Sequence, residues 1–387
     1  MAVKFTKPEI NVREKLAELD KPSGVAGEAM LRADTVAEQQ ALIGLGRRNL
    51  IINGAMMVNQ RGNKTGITAP GETFALDRWY YDGMNSATIS MTQSTDAPDG
   101  FYNSLKVEVT TADAAYGSST DYARVSQDVE GYVARPIGFG RSGAKPISIS
   151  FWCKSSIAGE YACTIYTEGA NLYHYSGQYY IESPNTWEYK TITIPPHTLG
   201  TLGNQINGAN FRLQFHLNRA GPSYTGSPNI WTTAVDLTSP TAQDQFIRTV
   251  NSTFYVTGVQ LELGKVATPF EHRSYGEELA LCQRYFERVR LADRHQGKLH
   301  GVTQAHFTYA YRVKKRATPS LSNGLCTLIY DGTSSYTDAN VTFSSKDHDG
   351  INDESVTYRI ITGSSMGTPI YRNLGGYGLG FDIDAEL

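Results

Sequence analysis

A cluster of aromatic side chains occupies residues 166–189 of the chain. Its members are Tyr166, Tyr173, His174, Tyr175, Tyr179, Tyr180, Trp187 and Tyr189. A tyrosine ring presents a flat apolar face to the C–H groups of a sugar ring and a hydroxyl group to its polar edge. We therefore predict that Tyr173, Tyr175, Tyr179 and Tyr180 bind a glycan. The alternative is packing across neighbouring strands, because tyrosine is also a strong strand former.

Three carboxylates in the same region could serve a hydrolase. Glu168, Glu182 and Glu188 lie among the aromatic residues, and glycoside hydrolysis requires two carboxyl groups held on either side of the bond that is cleaved. The sequence does not place any two of them across a cleft. Cleavage of a glycan therefore stays an alternative to binding alone, and no catalytic residue is predicted.

An acidic segment contains Asp347, Asp349 and Asp353 beside Gly350. Oxygen ligands of this kind bind calcium, but an EF-hand loop needs glycine at its sixth position, whereas this segment has glycine at the fourth. We therefore predict a solvated acidic turn, with calcium at these three aspartates as the alternative. No other metal or cofactor is predicted.

The cysteines give no sign of a metal or redox site. Cys153, Cys163, Cys282 and Cys326 lack the paired spacing of zinc and redox motifs. We predict that they are reduced packing residues. Cys153 supports this, since it alternates in register with apolar residues of a predicted strand.

The composition favours β-structure and argues against several classes of protein. Only 19% of the 387 residues are charged, whereas there are 37 glycines and 24 tyrosines, a mixture typical of short strands and many turns. The formal net charge of -3 argues against a general nucleic-acid binder. The sequence contains no secretion signal and no apolar run of membrane-spanning length. We therefore expect no nucleic-acid partner, no membrane insertion and synthesis in a cytoplasm.

Residues 49–272 have the alternation of a two-sheet β-sandwich. Leu105, Val107 and Val109 alternate with polar residues, and the segment from Phe211 to Leu217 does the same. In the segment 254–263 the apolar face changes parity at Gly258. This change predicts a β-bulge at that glycine.

Short helical patterns flank the sandwich. Residues 1–48 contain helical apolar spacing that is too short to be stable alone, which predicts an attachment or oligomerisation segment. Ser274 and Glu277 form a capping box and predict a short helix at the start of a second β unit, residues 273–387. Strands of that unit are predicted near 305–313, 325–330, 339–344, 355–361 and 377–386.

Several motifs resemble bacteriophage virion proteins. N-L-I-I-N-G at 49–54 and F-Y-V-T-G-V-Q-L-E-L-G at 254–264 resemble the first and last strands of carbohydrate-binding-module-like jelly rolls, especially those of phage tail fibres. L-A-L-C-Q-R-Y-F at 279–286, R-A-T-P-S-L-S at 316–322 and the final G-L-G-F-D-I-D-A-E-L resemble the closing module of many tail-fibre proteins. The segment 7–20 resembles the N-termini of virion proteins from short-tailed phages.

The resemblance implies a fold and a function. The implied fold is mainly β, with a short helical N-terminal anchor, a jelly-roll β-sandwich and a smaller C-terminal β domain. The implied protein is a non-enzymatic virion component, a tail fibre or tail-attached protein that recognises host-surface polysaccharide. The alternatives are a glycan depolymerase tailspike and a purely structural tail or capsid component. The resemblance further implies a homotrimer, location in the virion tail and contact with tail or portal-proximal proteins through residues 1–48.

Overall fold

The chain is divided into two compact units, Met1–Arg48 and Asn49–Leu387. A computed structural model describes residues 48–116, 121–169, 172–199, 206–218, 228–233, 245–289, 295–301, 304–325, 328–330, 335–336, 342–344, 352–361, 373–377 and 380–386. The predicted N-terminal helices therefore lie outside the described residues. The predicted boundary between residues 272 and 273 stays a prediction.

Strands dominate the first part of the described chain. They are β1 (Lys64–Thr68), β2 (Gly71–Leu76), β3 (Trp79–Met84), β4 (Thr88–Ser94), β5 (Ser104–Thr111), β6 (Tyr122–Glu130), β7 (Ile147–Ser155), β8 (Gly159–Thr167), β9 (His174–Ile181), β10 (Glu188–Ile194), β11 (Ala209–Asn218), β12 (Trp231–Thr232) and β13 (Thr253–Leu263). The helix α1 (Gly131–Ala134) and a 3-10 turn (Arg135–Ile137) connect β6 to β7.

These strands form two sheets. Sheet A has the strand order β1-β4-β5-β13-β7-β10, and sheet B has the order β12-β9-β8-β11-β6-β3-β2. Successive strands from β5 to β8 alternate between the two sheets, and the chain crosses to the other sheet again at β10, β11 and β13. The predicted mainly β, jelly-roll sandwich is confirmed.

The core lies between the two sheets and follows the predicted alternation. Phe151 of sheet A and Phe215 of sheet B are fully buried, and their ring centroids are 4.9 Å apart. Phe254 packs on both Phe215 and Tyr161. Because alternate residues of each strand point into this layer, the intervening residues are left on the outward faces of the sheets.

The last strand of the sandwich contains the predicted bulge. The register of β13 against β7 shifts between Thr257 and Gln260, and Gly258 has a φ of 61°. A β-carbon at Gly258 would lie 2.6 Å from the ring of Phe101. Both the backbone conformation and this close contact therefore require glycine.

Residues 49–54 lie against β13, as predicted, but they do not form a strand. Leu50 donates to the carbonyl of Leu261 at 2.9 Å, and Val259 donates to the carbonyl of Gly54 at 3.0 Å. Between these bonds the Asn49 side chain accepts from Leu261 and donates to Val259. Asn49 thus replaces part of a regular ladder with side-chain bonds, and the expectation of a strand here was wrong.

The C-terminal part begins with the predicted helix. Helix α2 (Tyr275–Gln283) is capped by Ser274, which accepts from the Glu277 amide in a capping box. The strands that follow are β14 (Phe286–Val289), β15 (His295–Gly301), β16 (Gln304–Ala310), β17 (Ser320–Leu325), β18 (Leu328–Tyr330), β19 (Ser335–Tyr336), β20 (Thr342–Ser344), β21 (Ser355–Ile361), β22 (Asn373–Tyr377) and β23 (Gly380–Asp384). They form one sheet of order β14-β23-β17 and another of order β19-β18-β22-β15-β16-β21-β20.

Charged groups join the sandwich to the sheet of β14, β17 and β23. Arg78 is buried and pairs with Glu386, and Arg61 pairs with both Asp384 and Glu386, at 3.0 and 3.1 Å. On the other side of the junction, Glu130 accepts from Arg284. We call these residues the charged junction.

The remaining sequence expectations concern cysteines and membranes. Cys153, Cys163 and Cys282 are free and buried, as predicted for packing residues, and Cys326 lies outside the described residues. Within the described part of the chain, no helix is long and apolar enough to span a membrane.

Candidate functional site

The outward face of sheet B is polar and largely buried. Three rows of side chains cross it, because paired residues of antiparallel strands point to the same side. The rows are Tyr80-Ser126-Gln214-Thr164-Ser176, Asp82-Arg124-His216-Ala162-Gln178 and Asp128-Arg212-Tyr166-His174-Thr232. We call this surface the polar face. A row of five strands is roughly 19 Å long at the usual spacing between strands.

Unpartnered polar groups lie at the centre of the polar face. Gln214 is 1% exposed and His216 is fully buried. Neither the amide of Gln214 nor either ring nitrogen of His216 has a hydrogen-bond partner in the described part of the chain. The hydroxyl of Ser126 and both ring nitrogens of His174 also lack a hydrogen-bond partner there. Each such group costs about 1–3 kcal/mol unless a partner satisfies it.

Two arginines flank this centre, and each is already paired. Arg124 lies 2.7 Å from Asp82 and stacks on Tyr122, with its guanidinium carbon 4.3 Å from the ring centre. Arg212 lies 3.3 Å from Asp128, 3.0 Å from Glu168 and 3.2 Å from Glu72. Both cationic groups of the face are therefore neutralised by the protein itself.

Burial sets the protonation states at the centre. It lowers the pKa of His174 to about 4 and that of His216 well below its usual value, with the charge of Arg124 acting in the same direction. Burial also raises the pKa of Asp128 to about 6, although Arg212 opposes the shift. At neutral pH both imidazoles are therefore uncharged, and each offers one donor and one acceptor.

The centre of the polar face is thus suited to a neutral ligand rich in hydroxyl groups. An amide, two neutral imidazoles and a hydroxyl can each donate or accept a hydrogen bond. A hydroxyl group of a ligand also does both. Tyr166 borders this centre, with its ring centroid 4.4 Å from that of His174.

The structure divides the four tyrosines that were predicted to bind a glycan. Tyr175 and Tyr179 point into the sandwich core and are buried; Tyr179 packs on Phe151 with a centroid distance of 5.0 Å. Tyr173 is half-buried and packs on His197. Tyr180 is 48% exposed and shares the outward side of sheet B with the polar face. Their role in binding stays a prediction, and Tyr180 has the most accessible ring.

Trp187 and Tyr189 from the aromatic cluster lie on the side of sheet A instead. The Trp187 indole donates to Asp96 at 3.0 Å and packs edge-on against Tyr255. Tyr189 packs on Trp152 with a centroid distance of 5.4 Å. The cluster seen in the sequence is therefore distributed over the core and two different surfaces.

The predicted calcium ligands are only partly described. Asp347 and Asp349 lie outside the described residues, and Asp353 pairs with Lys314 at 3.1 Å. Among the residues that the structure describes, no group of three or more histidine, cysteine, aspartate or glutamate side chains could hold a metal ion.

Two of the carboxylates considered for hydrolysis, Glu168 and Glu188, have different partners. Glu168 belongs to the polar face through Arg212. Glu188 instead accepts from the backbone amides of Glu182 and Ser183, at 2.9 Å each, and pairs with Lys190.

The sequence contains a partial signal for the polar face. Arg212, Gln214 and His216 alternate with apolar residues, but this pattern is equally typical of a strand face exposed to water. What distinguishes the face is its burial, and burial depends on parts of the chain that are distant in sequence.

No protein-family model and no curated protein matches the chain. Among similar solved structures is the enzymatically active domain of tailspike protein 4 of bacteriophage CBA120, at 13% identity and a TM-score of 0.30, covering 56% of this chain and 21% of that chain. Another contains the carbohydrate-binding module CBM22-1 and the GH10 module of xylanase 10B from Clostridium thermocellum, with xylohexaose, at 9% identity and a TM-score of 0.31, covering 56% of this chain and 29% of that chain. A third is a family 11 carbohydrate-binding module of Clostridium thermocellum with a mixed-linked tetrasaccharide, at 15% identity and a TM-score of 0.26, covering 55% of this chain and 98% of that chain.

Proposed function

We propose that the protein binds a glycan on the polar face and does not cleave it. The observation that carries this proposal is the set of buried, unpartnered side chains of Ser126, Gln214, His216 and His174. A polyhydroxylated ligand supplies hydrogen-bond partners to all four at once. The energetic cost of leaving them unpartnered in the free protein then becomes a gain on binding.

Binding without cleavage is favoured by the position of Arg212. A glycosidase holds its two carboxyl groups about 5–10 Å apart with the sugar between them. On the polar face the candidate pair is Asp128 and Glu168, and the Nε atom of Arg212 lies within 3.3 Å of both. The arginine occupies the space that the scissile bond would need.

The finer part of the proposal is a bacteriophage tail protein that recognises host-surface polysaccharide. It is supported by the sequence motifs at both ends of the sandwich and in the last residues, with residues 1–48 as the attachment segment. Mass spectrometry of purified phage particles tests it. The protein must be found among the virion components, and its absence from them would remove the virion role while leaving glycan binding intact.

Replacement of Gln214 by leucine tests the binding site itself. The wild-type protein is first screened on an array of oligosaccharides, and the tightest one is then titrated against each variant. We expect Gln214→Leu to bind at least tenfold more weakly. Its free energy of unfolding should stay equal to that of the wild type or rise, because the variant no longer buries an unpartnered amide.

Gln127 provides a matched control within the same sheet. Its side chain is also buried, but it donates to the carbonyl of Ile52 and accepts from the amide of Ile52. Gln127→Leu should therefore lose stability and retain the glycan affinity of the folded fraction. Unchanged glycan affinity in Gln214→Leu would contradict the proposed site, and release of reducing ends by the wild type would contradict the absence of cleavage.

A further inference from the structure

The charged groups of the polar face are unequal in number. Among the described residues, its outward positions carry the arginines Arg124 and Arg212, and Arg78 at its border donates to the backbone of Asp128 while it pairs with Glu386. The outward positions and the immediate border also carry the carboxylates Glu72, Asp82, Asp128, Glu160 and Glu168. The carboxylates therefore exceed the cations on this face.

The ion pairs of Arg124 and Arg212 leave neither guanidinium group available to an anionic ligand. Arg124 is held by Asp82 at 2.7 Å. Arg212 is surrounded by Asp128, Glu168 and Glu72, all within 3.3 Å. An incoming carboxylate or sulfate group would have to displace one of these protein carboxylates and then remain near the others.

The surplus carboxylates are accessible from the border of the face. Glu72 and Glu168 have side chains that are 38% and 29% exposed, whereas the neighbouring Gln214 and His216 are buried. A ligand that satisfies the buried amide and imidazole therefore brings its substituents close to Glu72 and Glu168. An ammonium group at that position would be attracted, and an anionic group would be repelled.

We infer that the polar face selects glycans that carry free amino groups over neutral glycans, and neutral glycans over acidic ones. This inference rests on the proposed glycan binding and adds the chemical class of the ligand. This surplus of carboxylates near an exposed border corresponds to roughly a tenfold preference at each step at low ionic strength. Salt should reduce the preference, because exposed charges are screened over about 10 Å at 0.1 M.

The test compares three probes of similar length: chitosan hexamer, cellohexaose and hexagalacturonate. Isothermal titration at low salt and mildly acidic pH, where the chitosan amines carry their protons, should give the tightest binding for the chitosan oligomer and the weakest for the galacturonate. The double variant Glu72→Gln and Glu168→Gln should reduce the ratio of the affinity for the chitosan hexamer to that for hexagalacturonate by at least tenfold. Glu108→Gln is the matched control, because Glu108 forms an ion pair with Lys106 on sheet A and should leave the ratio unchanged.

The outcomes separate the inference from the function on which it rests. Equal or tighter binding of hexagalacturonate, or no advantage of chitosan over cellohexaose, overturns the charge preference and leaves glycan binding standing. The same holds if the double variant keeps the wild-type ratio. Binding of none of the three probes, together with no binding on the oligosaccharide array, overturns both.

Discussion

Individual polar residues in this protein have very different energetic roles, although their types are the same. Gln127 and Gln214 both lie on strands of sheet B, yet Gln127 binds the backbone of Ile52 whereas Gln214 has no partner among the described residues. A buried amide with two partners stabilises the fold, and a buried amide without partners costs free energy. A buried amide without partners therefore needs an explanation other than stability, and the proposed ligand of Gln214 provides one.

The buried histidines make stability dependent on pH. The folded state holds the pKa of His174 at about 4, below its usual 6.5, so the neutral ring contributes stability above pH 6.5 that is lost as the pH falls towards 4. The difference corresponds to about 3 kcal/mol. His216 acts in the same direction. Asp128, with a pKa of about 6, acts in the opposite direction, since its burial penalty is relieved as it becomes protonated.

We therefore expect the wild-type protein to lose stability between pH 7 and pH 4, and His174→Gln to lose less over the same range. Between pH 7 and pH 4, the loss in the free energy of unfolding should be on the order of 3 kcal/mol smaller for the variant than for the wild type. Urea denaturation at a series of pH values measures it. His272→Gln, at an exposed histidine, is the control and should follow the wild type; a His174→Gln curve parallel to the wild type would contradict the assignment.

At the scale of elements, the sequence predicted strands wherever the alternation was long. The strands containing Leu105, Phe151 and Phe215 were predicted with their inward faces, because period-two alternation directly reports which side is buried. Residues 49–54 were expected to form a strand, but the Asn49 side chain takes over bonds of the ladder. A local pattern does not show such a substitution.

The same limit applies to the C-terminal strands and to the site. The strands β16, β18, β20, β21 and β23 overlap predicted segments, whereas β15 and β22, which contain Gly297 and Gly375, lack a clear apolar period and were not predicted. For the polar face, the sequence showed which residues alternate. It did not show that strands far apart in the chain place His174 and His216 on one buried surface, because that depends on strand order.

The bulge in β13 offers a direct test at the scale of one element. Gly258→Ala must place a β-carbon 2.6 Å from the Phe101 ring while keeping a φ of 61°. We expect a loss of about 2 kcal/mol in the free energy of unfolding. Gly143→Ala is the control, because a β-carbon there has no neighbour within 4 Å. Chemical denaturation of both variants measures the difference, and equal stabilities would show that the strand tolerates a different bulge.

At the scale of the whole molecule, the last residues of the chain contact the sandwich through the charged junction. Glu386 pairs with Arg78 and Arg61, and the guanidinium carbon of Arg78 stacks 3.7 Å from the ring centre of Tyr285. The amide of Ala385 donates to the carbonyl of Tyr285 at 2.7 Å. The junction thus connects three regions that lie far apart in sequence, which predicts that the sandwich and the sheet of β14, β17 and β23 unfold together.

Glu386→Gln tests this cooperativity. The change leaves Arg78 buried with a neutral partner, and the loss of one member of a buried ion pair typically costs about 3–5 kcal/mol. Tryptophan fluorescence reports the sandwich specifically, because Trp79, Trp152 and Trp231 lie in strands of sheets A and B. The fourth tryptophan, Trp187, directly precedes β10 and packs on Tyr255 of β13. We expect the urea midpoint of the tryptophan signal to fall, even though Glu386 lies beyond the last strand of the chain.

Glu354→Gln is the control for this variant, because Glu354 forms an exposed pair with Lys314 and such pairs contribute at most about 1 kcal/mol. If Glu386→Gln leaves the tryptophan midpoint unchanged while circular dichroism shows an earlier loss of strand signal, the C-terminal sheet unfolds independently. That outcome would contradict a cooperative junction. If both signals shift together, the pairing of Glu386 with Arg78 stabilises the sandwich as well as the C-terminal sheet. The stability of the polar face then depends on residues that lie far away in the sequence.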